Sequence, residues 1–253
     1  MIGTDFFFNG EKSVNKGVSI IKLSSGFLPS PFLPSKEIHE EYIKGRDKPY
    51  YYGSSKRPIQ LKLVLSCLDN EWTFEKRREI ARWLNTKDYV EFYTINEPFK
   101  KYYVQYVGGV NLTTQSSMHG YLEVTLRCDS AYAYSSIYQD EYECLDNETS
   151  IEFLNYGDCD LLPEIWISKV DNGDITIKNE SHADVYDFKV TDLLHDEILY
   201  VNNENEQIIT NIHDIYRYDK HNGTYLVLKR GNNKLTIVGK CKITFRYQNK
   251  IWG

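Results

Sequence analysis

A chain of 253 residues has length enough for one large domain or two of ordinary size. With 41% hydrophobic, 14% aromatic and 26% charged side chains it can bury a core, which excludes a disordered protein. The net charge of −6 is unevenly held, residues 1–145 being neutral and residues 146–253 carrying the whole deficit, so neither half has the clustered cations that displace counterions from nucleic acid.

The bias toward Tyr (21) and Phe (11) over Met (2) favours pleated, half-buried surfaces and therefore β structure. No run of about 18 apolar residues is present, which argues against a transmembrane helix. The start, Met1 to Gly10, lacks a basic segment followed by a long apolar one. The expectation is synthesis in the cytoplasm without a signal peptide, and no membrane partner. Five cysteines, at 67, 128, 144, 159 and 241, show none of the short spacings of structural zinc or a redox dithiol. Cys67 and Cys128 fall at strand ends and read as small buried hydrophobes.

Phe6 to Gly10 and Gly17 to Leu23 predict two strands joined by a polar turn region. Pro29-Ser-Pro-Phe-Leu-Pro34 then favours an extended, exposed path. An excursion over about residues 27–58 follows, with no convincing regular element and with Tyr50, Tyr51 and Tyr52 in succession. Such a long irregular stretch in a compact domain signals function, and three adjacent tyrosines do not all face one core. Tyr50, Tyr51, Tyr52 and Phe32 are the candidate subunit-interface residues.

Ile59, Leu61, Leu63 and Leu65 alternate with polar residues and predict a half-buried strand. A helix is predicted over about 73–85, with Thr73 as cap, Glu75 in the first turn, and Ile80, Ala81, Trp83 and Leu84 on its core side. Its basic run, Lys76-Arg77-Arg78 with Arg82, lies beside Glu75 and Glu79 and reads as an exposed, salt-bridged face. Strands are predicted at Tyr89–Ile95, Lys101–Val107 and Gly120–Cys128, with Gly108-Gly109 as a turn. The acidic, aperiodic segment 137–149 holds the domain boundary, giving domains 1–140 and 141–253. Beyond it, short strands alternate with Asn/Gly turns and no helix is predicted, the pattern of a β-sandwich. Tyr225–Lys229 is among these strands, with Gly231-Asn-Asn233 as a turn.

The search for catalytic chemistry is negative. The chain has no nucleophile elbow, phosphate-binding loop or dinucleotide fingerprint. His39-Glu-Glu lacks the second histidine of a metalloprotease helix. His195-Asp196 and His213-Asp214 read as solvated turn residues, and Asp184 with Asp187 does not by spacing alone make a glycosidase pair. No catalytic residue, cofactor or metal site is expected. Of the four tryptophans, Trp72 and Trp83 read as core and Trp252 lies near the C-terminus. Trp166 alternates with Ile165 and Ile167, and is the one candidate for stacking on a sugar ring.

The order of these elements resembles the distal tail protein (Dit) family of long-tailed phages infecting Gram-positive bacteria. The resemblance rests on Phe8-Asn-Gly10, the excursion ending in Gly45-Arg-Asp47 and the Tyr cluster, Ile80-Ala-Arg-Trp-Leu84, and Leu126 to Tyr134. In the second domain it rests on Asn155-Tyr-Gly157, Pro163-Glu-Ile-Trp-Ile167, Gly173 to Asn179, Leu228 to Asn233, and Ile243-Thr-Phe-Arg-Tyr247 near Trp252. It implies a mainly β protein: an N-terminal ring-forming β domain with one α-helix and a long excursion, then a galectin-like β-sandwich. It also implies a non-enzymatic structural virion protein at the distal end of the tail, the hub of a tail tip or baseplate. There a homo-hexameric ring joins the tail tube protein to a tail-tip or tail-associated fibre protein of the host-adsorption apparatus. DNA passes through that ring without specific nucleic-acid binding. The sugar-binding galectin pattern, His-x-Asn-x-Arg with Trp-x-x-Glu, is matched by neither His221-Asn222-Gly223 nor Trp166-Ile-Ser-Lys169. The alternative reading is a carbohydrate-binding module for cell-wall polysaccharide.

Overall fold

The computed structural model describes residues 3–21, 32–69, 71–115, 119–182, 184 and 186–252. Residues 22–31, which include the end of the strand expected to Leu23 and the start of the excursion, lie outside that description. The chain divides into two compact units, 1–134 with 252–253, and 135–251.

The first unit contains β1 (Phe6–Phe8), β2 (Glu11–Lys12), β3 (Val18–Ile20), β4 (Lys36–Glu41), β5 (Tyr50–Lys56), β6 (Gln60–Cys67), α1 (Phe74–Leu84), β7 (Val90–Thr94), β8 (Tyr102–Thr114), β9 (Gly120–Cys128) and β10 (Ala133–Tyr134). Seven strands form one sheet in the order β2-β1-β7-β8-β9-β6-β3. Period-2 burial makes its inner face: Phe6, Phe8, Leu65, Phe92, Val104, Val124 and Leu126 are buried. The β1–β2 connection is Asn9-Gly10, both at positive φ (54° and 74°), as a two-residue turn between antiparallel strands demands. Helix α1 starts where Thr73 accepts the Lys76 N–H at 3.2 Å. It lays Ile80, Trp83 and Leu84 on the core, with the Trp83 ring 5.7 Å from Phe6 and 5.3 Å from Phe8.

Two sequence expectations change here. Two cations of the basic run on α1 are bonded to main-chain carbonyls, Lys76 to Lys16 O (3.0 Å) and Arg77 Nε to Trp72 O (2.8 Å), and Arg78 lies over the Phe74 ring; among the described residues none of these three pairs with a carboxylate. Glu79 pairs with Lys16 at 3.4 Å. Gly108 and Gly109 do not end a strand. Strand β8 runs through them, shifting register against β9 between Val107 and Asn111, so the glycines mark a bulge.

The second unit contains β11 (Tyr138–Cys144), β12 (Glu148–Asn155), β13 (Glu164–Lys169), β14 (Gly173–Asn179), β15 (Phe188–Leu193), β16 (Ile198–Asn202), β17 (Gln207–Thr210), β18 (Gly231–Val238), β19 (Cys241–Tyr247) and β20 (Lys250–Ile251). It is a sandwich of a five-stranded sheet, β11-β19-β13-β16-β17, on a four-stranded one, β12-β18-β14-β15. Alternate residues of both sheets, among them Ile165, Ile167, Ile175, Ile177, Leu199, Leu235, Ile243 and Phe245, make one buried core. The fold is mainly β, as the composition and turn spacing indicate.

The segment read as an aperiodic link contains a strand. Tyr138–Cys144 pairs along its whole length with β19, and Cys144 lies opposite Cys241, both free and buried. Its weak period follows from an outer face of Gln139, Glu141 and Glu143 and an inner face that carries Asp140 and Tyr142 as well as apolar residues. Conversely, Tyr225–Lys229 alternates but forms no strand. Leu226 and Leu228 are buried from a looping backbone whose one bridge is Leu161–Leu228. The amide of Asn233 holds that loop, donating to Lys229 O (2.8 Å) and Gly231 O (3.0 Å) and accepting from Lys229 N (2.9 Å). Asn233 therefore stands inside β18 rather than in a turn.

Candidate subunit-contact surface

The excursion is a β-hairpin. Strands β4 and β5 pair from Lys36↔Lys56 to Glu41↔Tyr50, with a register shift between His39 and Glu40. This replaces the irregular path expected from sequence. Polar residues at both faces erase the alternation that marks a half-buried strand. All of β4 and β5 is exposed except Gly53, which is half-buried. A two-stranded ribbon that buries neither face has little intrinsic stability, so local contacts hold it. Tyr52 Oη donates to Glu41 (3.2 Å), His39 pairs with Ser55 Oγ (2.9 Å), Arg57 bridges Glu37 (2.7 Å), and Arg46 lies over the Tyr50 ring at 4.1 Å. At the root, Lys56 donates to Tyr132 Oη (3.0 Å) and sits 4.2 Å over the Trp252 ring, which packs edge-on to Tyr132.

The candidate residues fall here. Tyr50, Tyr51 and Tyr52 are 43%, 65% and 67% exposed on β5, and Phe32 is 78% exposed before Pro34. Tyr50 and Tyr51 lie opposite Glu41 and Glu40 in the ladder, while Tyr52 falls at the register shift and bonds Glu41 through its hydroxyl. Among the described residues no ring contact joins Phe32 to the tyrosines. The structure adds Ile38, Tyr42 and Ile43, all exposed on the same hairpin. Their signal in the sequence was Ile38 and Ile43 set singly among charges, too sparse to define a face. The ribbon thus carries exposed aromatic and aliphatic side chains set among polar ones.

The residues inspected for catalysis are dispersed. His195 Nε2 lies 3.2 Å from Asp196 Oδ2 and His213 Nδ1 2.7 Å from Asp214 Oδ2, both pairs exposed, and His39 lies on β4. Among the described residues no group of three His, Cys, Asp or Glu is placed to hold a metal ion. Burial pushes the Cys67 thiol up to about 11 and that of Cys128 up to about 12, so both stay protonated and act as core.

A model described as "Phage tail protein N-terminal domain" matches residues 1–130, and one described as "Phage tail C-terminal domain" matches residues 132–247. The chain belongs to this phage tail protein family. It is 26% identical over 246 residues to the SPbeta prophage-derived uncharacterized protein YomH of Bacillus subtilis (strain 168), covering 97% of this chain and 96% of that one. Its fold is similar to the crystal structure of SPP1 Dit (gp 19.1), titled a paradigm of hub adsorption apparatus in Gram-positive infecting phages. That match has a TM-score of 0.70 at 15% identity and covers 97% of this chain and 98% of that one. A chain of the phage P2 baseplate in its activated conformation with Ca matches at TM-score 0.52 and 8% identity, covering 99% of each. The Dit resemblance read from the sequence is thus also a likeness of fold over nearly the whole chain.

Proposed function

We propose that this chain is the hub subunit of a phage tail tip or baseplate. Six copies close into a ring that joins the tail tube to the host-adsorption apparatus and lets DNA pass, at the distal end of the virion tail. The role is structural and non-catalytic. The carrying observation is the β4–β5 hairpin, exposed on both faces and bearing Tyr50, Tyr51 and Tyr52, within a chain of phage tail family and Dit-like fold. In this reading the first domain closes the ring through the hairpin, Phe32 contributes to the same contact, and the second domain hangs outside. The neutral charge of residues 1–145 supports it, because like charges across subunits oppose closure. Light scattering against concentration tests the proposal. The mass is expected to approach six times 29.7 kDa, and replacing Tyr50, Tyr51 and Tyr52 together by Ser is expected to lower it while leaving the melting temperature within a few degrees. A wild-type chain that stays monomeric at every concentration overturns self-assembly. A variant that loses thermal stability as fast as association overturns the contact.

A further inference from the structure

The outer face of the five-stranded sheet in the second unit carries two rows of side chains, set by the strand register. One row runs Thr244–Trp166–Tyr200–Ile209 across β19, β13, β16 and β17. The next, two residues along each strand, runs Arg246–Glu164–Asn202. The inner neighbours of these residues, such as Ile165, Ile167, Val201 and Phe245, are buried in the core, so both rows face outward from the sandwich. The Trp166 and Tyr200 rings lie 4.9 Å apart at 46°. The second row is locked together: Glu164 accepts from Tyr200 Oη (2.7 Å) and from Arg246 Nη1, and Asn202 Nδ2 donates to Tyr200 Oη (3.3 Å). Each of these side chains is half-buried, and the network holds them in one geometry.

We propose that this face binds carbohydrate as an extended glycan chain lying along the aromatic row. An aromatic ring offers a flat apolar face to the C–H face of a pyranose, while planar guanidinium, carboxylate and amide groups beside it suit the sugar's vicinal hydroxyls. The rows meet both needs at the right scale. Residues i and i+2 on a strand are about 7 Å apart, near the width of one ring, and four strands give a ledge about 14 Å long. Arg246 has five N–H donors and, among the described residues, spends one on Glu164. A protein hot spot would instead centre its aromatics in an apolar pocket ringed by close-packed contacts, whereas here a charged, hydrogen-bonded row flanks the ring along its length. The galectin motif is absent from these positions, so this is a site of different composition on a sandwich of similar plan. The inference does not rest on ring formation, and its readout is independent of assembly mass.

The test uses the full chain and two immobilised probes: polysaccharide released from pronase-treated Bacillus subtilis walls, and an array of hexose and N-acetylhexosamine oligosaccharides. Wild-type protein is expected to be retained by at least one probe and eluted by the free sugar. Trp166→Ala and Arg246→Met are each expected to weaken retention tenfold or more, with melting temperatures within a few degrees of wild type. Trp166→Phe, which keeps a ring, is expected to recover part of the loss even if the alanine variant folds poorly. Absence of retention on both probes overturns the proposal. So does retention unchanged by both variants.

Discussion

Glu197 and Arg217 form an ion pair sealed inside the second unit, with side chains 0% and 7% exposed. Arg217 donates through Nε (2.8 Å) and Nη2 (2.6 Å), and Glu197 also accepts from Leu194 N (2.9 Å) and Thr210 Oγ1 (2.7 Å). Burial pushes the Glu197 carboxyl up, but these four donors together outweigh it and hold it below the usual carboxylate range. Glu197→Gln leaves a buried guanidinium without its counter-charge and is expected to cost about 3–5 kcal/mol, read by urea unfolding. His221 adds a second titration. Its Nε2 donates to Thr224 O (2.9 Å) while Nδ1 accepts from Gly223 N (3.3 Å), between the rings of Phe188 and Tyr225. Burial lowers its affinity for a proton, the Thr224 carbonyl opposing, and protonating Nδ1 would set N–H against N–H. For both groups the folded value lies below the unfolded one. Their stabilisation is therefore complete above the unfolded value and is lost as pH falls through the folded one. The melting temperature is expected to fall as pH drops from about 6.5 to 5, and less so in His221→Gln.

At the scale of elements, helix α1 was legible because its signals are local: a Thr73 cap, an acidic first turn, and a core stripe ending at Leu84. Thr73→Ala removes the bond to the Lys76 N–H and is expected to cost about 1 kcal/mol, measured by thermal unfolding. The β18–β19 turn carries a harder constraint. Gly239 sits at φ 106°, and a Cβ there would lie 2.4 Å from Asp174 O and 2.9 Å from Ile175 Cδ1. Backbone strain alone is worth about 1–3 kcal/mol, so Gly239→Ala is expected to destabilise the second unit by at least that much, visible as a lowered urea midpoint. The β4–β5 hairpin was less legible. Its tyrosines stood out in the sequence, but its pairing depends on contacts such as Tyr52–Glu41 and Arg57–Glu37 that no period records.

For the whole molecule, the second unit carries its own core and its own two sheets. A fragment of residues 135–251 is expected to be a folded monomer by light scattering and circular dichroism. A fragment beginning at 150 is expected to be less stable, because it loses β11 and leaves the β19 ladder open along seven residue pairs. A ring that passes DNA needs a lumen without a favourable resting place for phosphates. The neutral first segment and acidic second one lead us to expect no retention of double-stranded DNA in a gel shift at low salt, and salt-sensitive binding would refute a passive conduit.

By itself the sequence determined the β class, the position of α1 and the tyrosine cluster. Each of these is written in residues adjacent along the chain or one period apart. Tertiary structure alone decided the rest. Gly108-Gly109 became a bulge because β9 pairs on both sides of it. Tyr138–Cys144 became a strand because β19 supplies a ladder nearly a hundred residues away, whatever its own period. Tyr225–Lys229 failed to become one because other groups take up its backbone: Asn203 at Leu226 N, Leu161 and Asn155 at Leu228, and Asn233 at Lys229. Trp166 and Glu164, neighbours on one face of β13, gained Tyr200 and Arg246 from two other strands. Local pattern reports only which face of an element is apolar, whereas register between distant strands sets which side chains meet, and that is settled by pairing and burial across the whole domain.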